Sequence, residues 1–182
     1  MIRKTKNNKL KTGDIFAVEL ADKKTWSIVQ LCYIFETDDY FSLTFGLFNI
    51  RENSFDDIQN VDNYHLSEPI FIATLDENPK KWKHIGNRPV EYSNVDVEKG
   101  ITGTWGWYNK AESGIYPKLE AYFGILPYDL YLGKAHIENY LVNKDILPNN
   151  IRLLKDFTKE EAEQKGILTM LKYYDRENEL KK

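Results

Sequence analysis

The sequence predicts an α+β fold rich in β-structure: a twisted antiparallel sheet or partial barrel, with C-terminal helices packed against it. Three observations carry that prediction. Residues 12–90 contain five short apolar or alternating runs bounded by turn-forming residues. The first connections are too short for the crossover that parallel pairing requires, so a meander follows. A capped helical pattern is clear only near the C-terminus. At 182 residues, the chain has the size of one domain.

Residues 3–9, basic and Asn-containing, have nothing to bury and read as a frayed terminus. Ile15 and Ala17 alternate with Phe16, Val18 and Leu20. The polar Asp22-Lys23-Lys24 then separates this run from Trp26–Phe35, which reads as a hairpin. Ile28–Phe35 is apolar on both faces, as expected of a central strand covered from both sides, with Cys32 a small buried hydrophobe. Thr37-Asp38-Asp39 turns the chain into a third strand, Tyr40–Ile50. After a polar stretch over 51–67, Ile70–Leu75 is the fourth strand, placed just beyond Pro69 where the missing N–H does least harm. Asn78-Pro79 turns the chain again, and Trp82–Ile85 is the fifth strand, ending at Gly86-Asn87.

Beyond residue 90 the pattern is mixed to about residue 157. Thr104–Tyr108 fits a strand with Trp105 and Trp107 on one face. Leu119, Tyr122, Phe123 and Leu126 recur at helical spacing between Pro117 and Pro127, a window that stays ambiguous. Ile137, Tyr140 and Leu141 suggest a short helix, and Ile151–Phe157 a strand. Thr158 with Glu161 three residues on makes a capping box. It opens a helix over about 159–179 whose stripe is Ile167, Met170, Leu171 and Tyr174.

Composition narrows the function. With 25 Lys and Arg against 28 Asp and Glu, the net charge is -3, which argues against a nucleic-acid binder that releases counterions through a basic surface. No stretch approaches the ~18 apolar residues that a membrane crossing needs. One cysteine, Cys32, permits no internal disulfide and no zinc site of finger type. A reducing, cytoplasmic setting is the expectation. No nucleophile elbow, phosphate loop, His-Glu-x-x-His or EF-hand pattern occurs, so neither catalysis, a cofactor nor a metal site is expected. His65, His84 and His136 each lack a sequence companion for acid–base work. Asp22 and Lys24, with Asp14 upstream, match a nuclease spacing only by chance, since the pair falls in a hairpin turn. Adjacent acids such as Asp38-Asp39 and Asp56-Asp57 point to opposite sides of an extended segment, which suits turns and caps better than a metal.

Charge is unevenly spread. Between Glu36 and Glu68 stand eight acids, Glu36, Asp38, Asp39, Glu52, Asp56, Asp57, Asp62 and Glu68, against Arg51 alone, a local -7. If the Thr37 turn and the 51–67 stretch lie at one end of the sheet, they form an acidic face that speeds encounter with a basic partner. A merely solvated loop is the simpler alternative. Trp105 and Trp107 could anchor an interface, stack on a sugar or base, or simply pack a core. The candidate partner-binding residues are therefore Asp38, Asp39, Glu52, Asp56, Asp57, Asp62, Trp105 and Trp107.

Four blocks have a familiar order: Thr12–Leu20, the apolar strand Trp26–Tyr33, Glu68–Ala73, and Trp82–Val90 with its Trp82-Lys83-His84-Ile85-Gly86-Asn87-Arg88-Pro89 core. Together they resemble the immunity protein 26 family of bacterial polymorphic toxin systems, over residues 12–90. The resemblance implies a β-rich cytoplasmic protein that binds and neutralises a cognate toxin domain without catalysis, and it marks Gly13, Trp82, Gly86 and Pro89 as structural positions. A basic, nuclease-like toxin would suit the acidic segment. The alternative is a β-rich module that binds a small ligand, glycan or nucleic acid through Trp105 and Trp107.

Overall fold

The computed structural model describes residues 10–38, 41–75, 79–91, 115–129, 151–172 and 175. Five strands, β1 (Asp14–Glu19), β2 (Trp26–Glu36), β3 (Phe41–Glu52), β4 (Phe71–Leu75) and β5 (Lys83–Asn87), form one antiparallel sheet in the order β4-β3-β2-β1-β5. Among the described residues β4 and β5 stand at opposite edges, so the antiparallel sheet is open, as the sequence predicts. The first four strands form the expected meander. β5 returns across the sheet to pair with β1, a step that no short connection predicts.

β2 is the central strand, and its apolar character on both sides has the physical reason read from the sequence. Side chains alternate across the sheet, and each face buries its own cluster. On one face Phe16, Val18, Val29, Leu31, Phe45, Leu47 and Phe71 gather with Trp82. Helix α2 (Ile115–Tyr122) covers this face through Ile115, Leu119 and Tyr122. On the other face Ile15, Ala17, Ile28, Cys32, Phe48 and Ile72 meet Ile58 and Leu66 of the connection between β3 and β4. That connection contains the one-turn helix α1 (Phe55–Ile58) and a 3-10 turn at Val61–Asn63. The sheet is thus the middle of three layers, as two apolar faces require.

The ambiguous window between Pro117 and Pro127 is therefore helical through Tyr122, with Phe123 and Leu126 beyond the helix end and Pro117 in its first turn, where the missing N–H costs least. Two anchors fasten α2 and its end to the strands. Glu120, buried on the helix, accepts the Ala21 N–H at 2.9 Å; its burial raises the carboxyl pKa, and the Ala21 bond only partly opposes that. Arg51 at the end of β3 donates to the Phe123 carbonyl (3.1 Å), to Thr25 Oγ1 (3.1 Å) and to Asp22 (3.0 Å).

Two C-terminal expectations are corrected. Ile151–Phe157 is not a strand: Leu154–Asp156 is a 3-10 turn, closed by Asp156 accepting the Leu153 N–H at 2.8 Å. A short polar side chain that caps its own backbone competes with the extended form. The long helix is interrupted as well. The capping box forms at Thr158 and Glu161, but helix α3 spans only Lys159–Gln164. Gly166 then takes φ +70, a left-handed stop, before a further helical segment over 168–172. Ile167 and Leu171 are buried as the stripe requires, whereas Met170 is exposed. The readings at Thr104–Tyr108 and around Ile137 lie outside the described residues.

Candidate partner-binding surface

The β3–β4 connection carries Glu52, Asp56, Asp57, Asp62 and Glu68 and no lysine or arginine between them. Asp56, Asp57, Asp62 and Glu68 are exposed, and Glu52 is half-buried. The segment is held at every turn. Ser54 caps α1 by accepting the Asp57 N–H, while its hydroxyl donates to the Asp57 carboxylate at 2.6 Å. Acids in that first turn also complement the helix dipole. Tyr64 donates its phenol to Glu52 at 2.9 Å. Burial, then the hydrogen bond and charge of Glu52, push that phenol up to about 12. Arg88, arriving from beyond β5, donates to the carbonyls of Val61 (3.0 Å) and Tyr64 (2.9 Å). Ile58 and Leu66 plug the segment into the sheet. The acids are therefore displayed from a braced scaffold, so binding a partner need not pay much to order them.

β5 lies alongside. Lys83 sits with its ammonium 4.5 Å from the Trp26 ring centre and 3.9 Å from that of Phe55, a cation–π contact that joins β5 to α1. A Cβ on Gly86 would press on Val61 at 3.1 Å, so glycine there lets the connection lie close to the strand. On the opposite face of the sheet, Asp14 collects the Lys11 N–H (2.7 Å), the Asn87 amide (2.8 Å) and His84 Nε2 (3.3 Å). Desolvation alone would raise the Asp14 pKa; the bonds from Lys11, Asn87 and His84 outweigh it and hold the carboxyl below its usual value. His84, without a companion in the sequence, gains one across 70 positions. Gln30 on β2 adds a donor to the Arg88 carbonyl at 2.9 Å.

The structure does not gather all the candidate acids. Register runs from Trp26 opposite Glu52 to Glu36 opposite Phe41. Asp38, exposed in the turn after β2, is therefore at the other end of the hairpin from Glu52, about 30 Å away at 3.3 Å per residue. Glu52, Asp56, Asp57 and Asp62 share one connection. Asp39, Trp105 and Trp107 lie outside the described residues. Asp22 serves its turn, accepting from Lys24, Thr25 and Arg51, which lower its pKa against the desolvation that would raise it. The contributions of Arg88, Tyr64 and Lys83 were not visible in the sequence. Only the shared order of the blocks holding Arg88 and Lys83 hinted at them.

Among the described residues, no group of three or more His, Cys, Asp and Glu is placed to hold a metal ion. No helix among them is long and apolar enough to cross a membrane. No family model, curated protein or solved structure matches the chain.

Proposed function

We propose that the chain is an immunity-type protein that binds a cognate bacterial toxin domain and neutralises it by occlusion. The observation that carries this reading is the braced acidic connection, four exposed carboxylates at 56–68 on a segment pinned by Ser54, Tyr64 and Arg88. A fixed array of like charge steers an oppositely charged protein and suits a basic, nuclease-like surface. The four blocks that resemble the immunity family support it further. They supply β1, β2, the lead into β4, and β5, and the first and last of them close on each other through Gly13, Asp14, Asn87 and Arg88. Protection then comes from stoichiometric binding in the cytoplasm, where Cys32 stays reduced, and requires no chemistry from the chain.

The test is coexpression with the cognate toxin domain that this reading requires. Growth is restored, and the two proteins elute together as one stoichiometric complex. Persisting toxicity together with separate elution would remove the proposal.

A further inference from the structure

The two edges of the sheet differ. β4 is buried along its whole length, whereas in β5 Lys83, His84 and Asn87 are exposed and Ile85 and Gly86 half-exposed. Among the described residues β5 is paired on one side, to β1. Its backbone from 83 to 87 makes no hydrogen bond outside that ladder among the described residues. An outward row of N–H and C=O groups is a template for one more strand. At five residues it offers about 17 Å of ladder.

From this we infer that β5 is a docking edge: an extended segment of a basic partner adds to the sheet there, and its alternate side chains reach the acidic connection. The inference deepens the toxin-binding reading and rests on it for the partner's charge. Its geometry follows from the neighbours of β5. The connection flanks β5 on one face, with Val61 against Gly86, Phe55 under Lys83, and Val61 and Tyr64 bound by Arg88. An added strand turns every second side chain toward that face, where Asp56 and Asp62, next to Phe55 and Val61, are exposed. Lysines at those positions find carboxylates; acids would find like charge.

A second copy of this chain fits less well. Two-fold pairing of β5 with itself puts both acidic connections on the same side of the doubled sheet, like charge beside like charge. The lysines of the edge do not change this. Lys83 is already committed to the Trp26 and Phe55 rings, and Lys80 and Lys81 precede the paired length. The bulge between Ile15 and Phe16, which leaves Ile85 as the extra residue, makes the edge irregular and hence selective against indiscriminate pairing.

The probe is a capped synthetic peptide of alternating lysine and valine, about eight residues long, enough to span the ladder. On titration with it, amide exchange at 83–87 slows by about ten-fold or more while β4 stays unchanged. The same peptide N-methylated at alternate amides keeps its charge, loses its ladder bonds, and gives no protection. Protection by both peptides alike, or by neither, overturns the docking edge. So does concentration-dependent protection of 83–87 in the protein alone with a dimer in sedimentation, which assigns the edge to a second copy. None of these readouts uses the toxin, so failure of coexpression to rescue growth remains a separate result.

Discussion

Gly13 shows how one residue can carry a long-range contact. Its φ is +94, a region that glycine enters freely. A Cβ there would collide with the Arg88 carbonyl oxygen. Its own N–H and carbonyl serve Leu31 and Arg88. Gly166 shares the left-handed conformation, at φ +70, but has nothing within 4 Å of an added Cβ. The pair separates backbone strain from steric collision. Gly166→Ala is expected to cost about 1 kcal/mol, the strain alone. Gly13→Ala should cost roughly 2–3 kcal/mol, because the β1–β5 contact must also move. Urea unfolding of both variants reads the difference, and equal midpoints would show that the collision is relieved without loss.

At the scale of elements, Arg51 is the clearest tie between the strands and the helical layer. One guanidinium spans the β1–β2 turn and the carbonyl at the end of α2, and it also lies 5.8 Å from the Phe123 ring centre. Arg51 meets its three acceptors from three separate nitrogens, a spread that the three donors on one lysine nitrogen do not reproduce. Arg51→Lys is therefore expected to lower stability by about 1 kcal/mol, a modest figure because the side chain is partly exposed. It should also speed amide exchange at Phe123–Ile125 while β2 and β3 remain protected. Uniform acceleration would mean that Arg51 stabilises the whole fold instead of this junction.

The strands were legible because period-two alternation and two-faced apolarity are local signals: β1 to β4 fall within a residue or two of the runs that predict them, and β5 starts one residue later and reaches Asn87. What the sequence hid is tertiary. Nothing near Lys83 announces that β5 will cross to β1, and nothing near His84 announces Asp14. Of the stripe Ile167, Met170, Leu171 and Tyr174, Ile167 and Leu171 are buried and Met170 is exposed, Tyr174 lies outside the described residues, and Gly166 just ahead of it breaks the helix. For the surface, the acidic composition could be counted, while its division between two ends of a hairpin required the register.

Across the whole molecule, charge is distributed by end. Asp56 and Asp62 stand on the part of the connection that lies against β5, and Asp38 stands at the other end of the β2–β3 hairpin. If long-range attraction drives encounter, neutralising Asp56, Asp62 and Glu68 together should slow association with the toxin domain by about ten-fold at low salt. It should also flatten the salt dependence. Asp57 is left intact because it holds Ser54. Asp38→Asn should leave the rate unchanged. Stopped-flow association at several salt concentrations measures both, and an equal effect from Asp38 would mean that net charge, not its placement, governs encounter.

The return of β5 to β1 also bears on the order in which the chain can assemble. The hairpins of β1, β2 and β3 close over a few residues, but Asn87 meets Thr12 across 75 positions. Closing that loop costs about 2 kcal/mol more than closing the first hairpin. During synthesis the outer side of β1 therefore stays open until residue 87 has left the ribosome, and the polar lock of Asp14 with Asn87 and His84 engages only after the hairpins of β1, β2 and β3 have closed. A truncated chain ending before β5 would expose β1 as a raw edge, hydrophobic on both faces. That makes β5 a safeguard against aggregation as well as a structural piece.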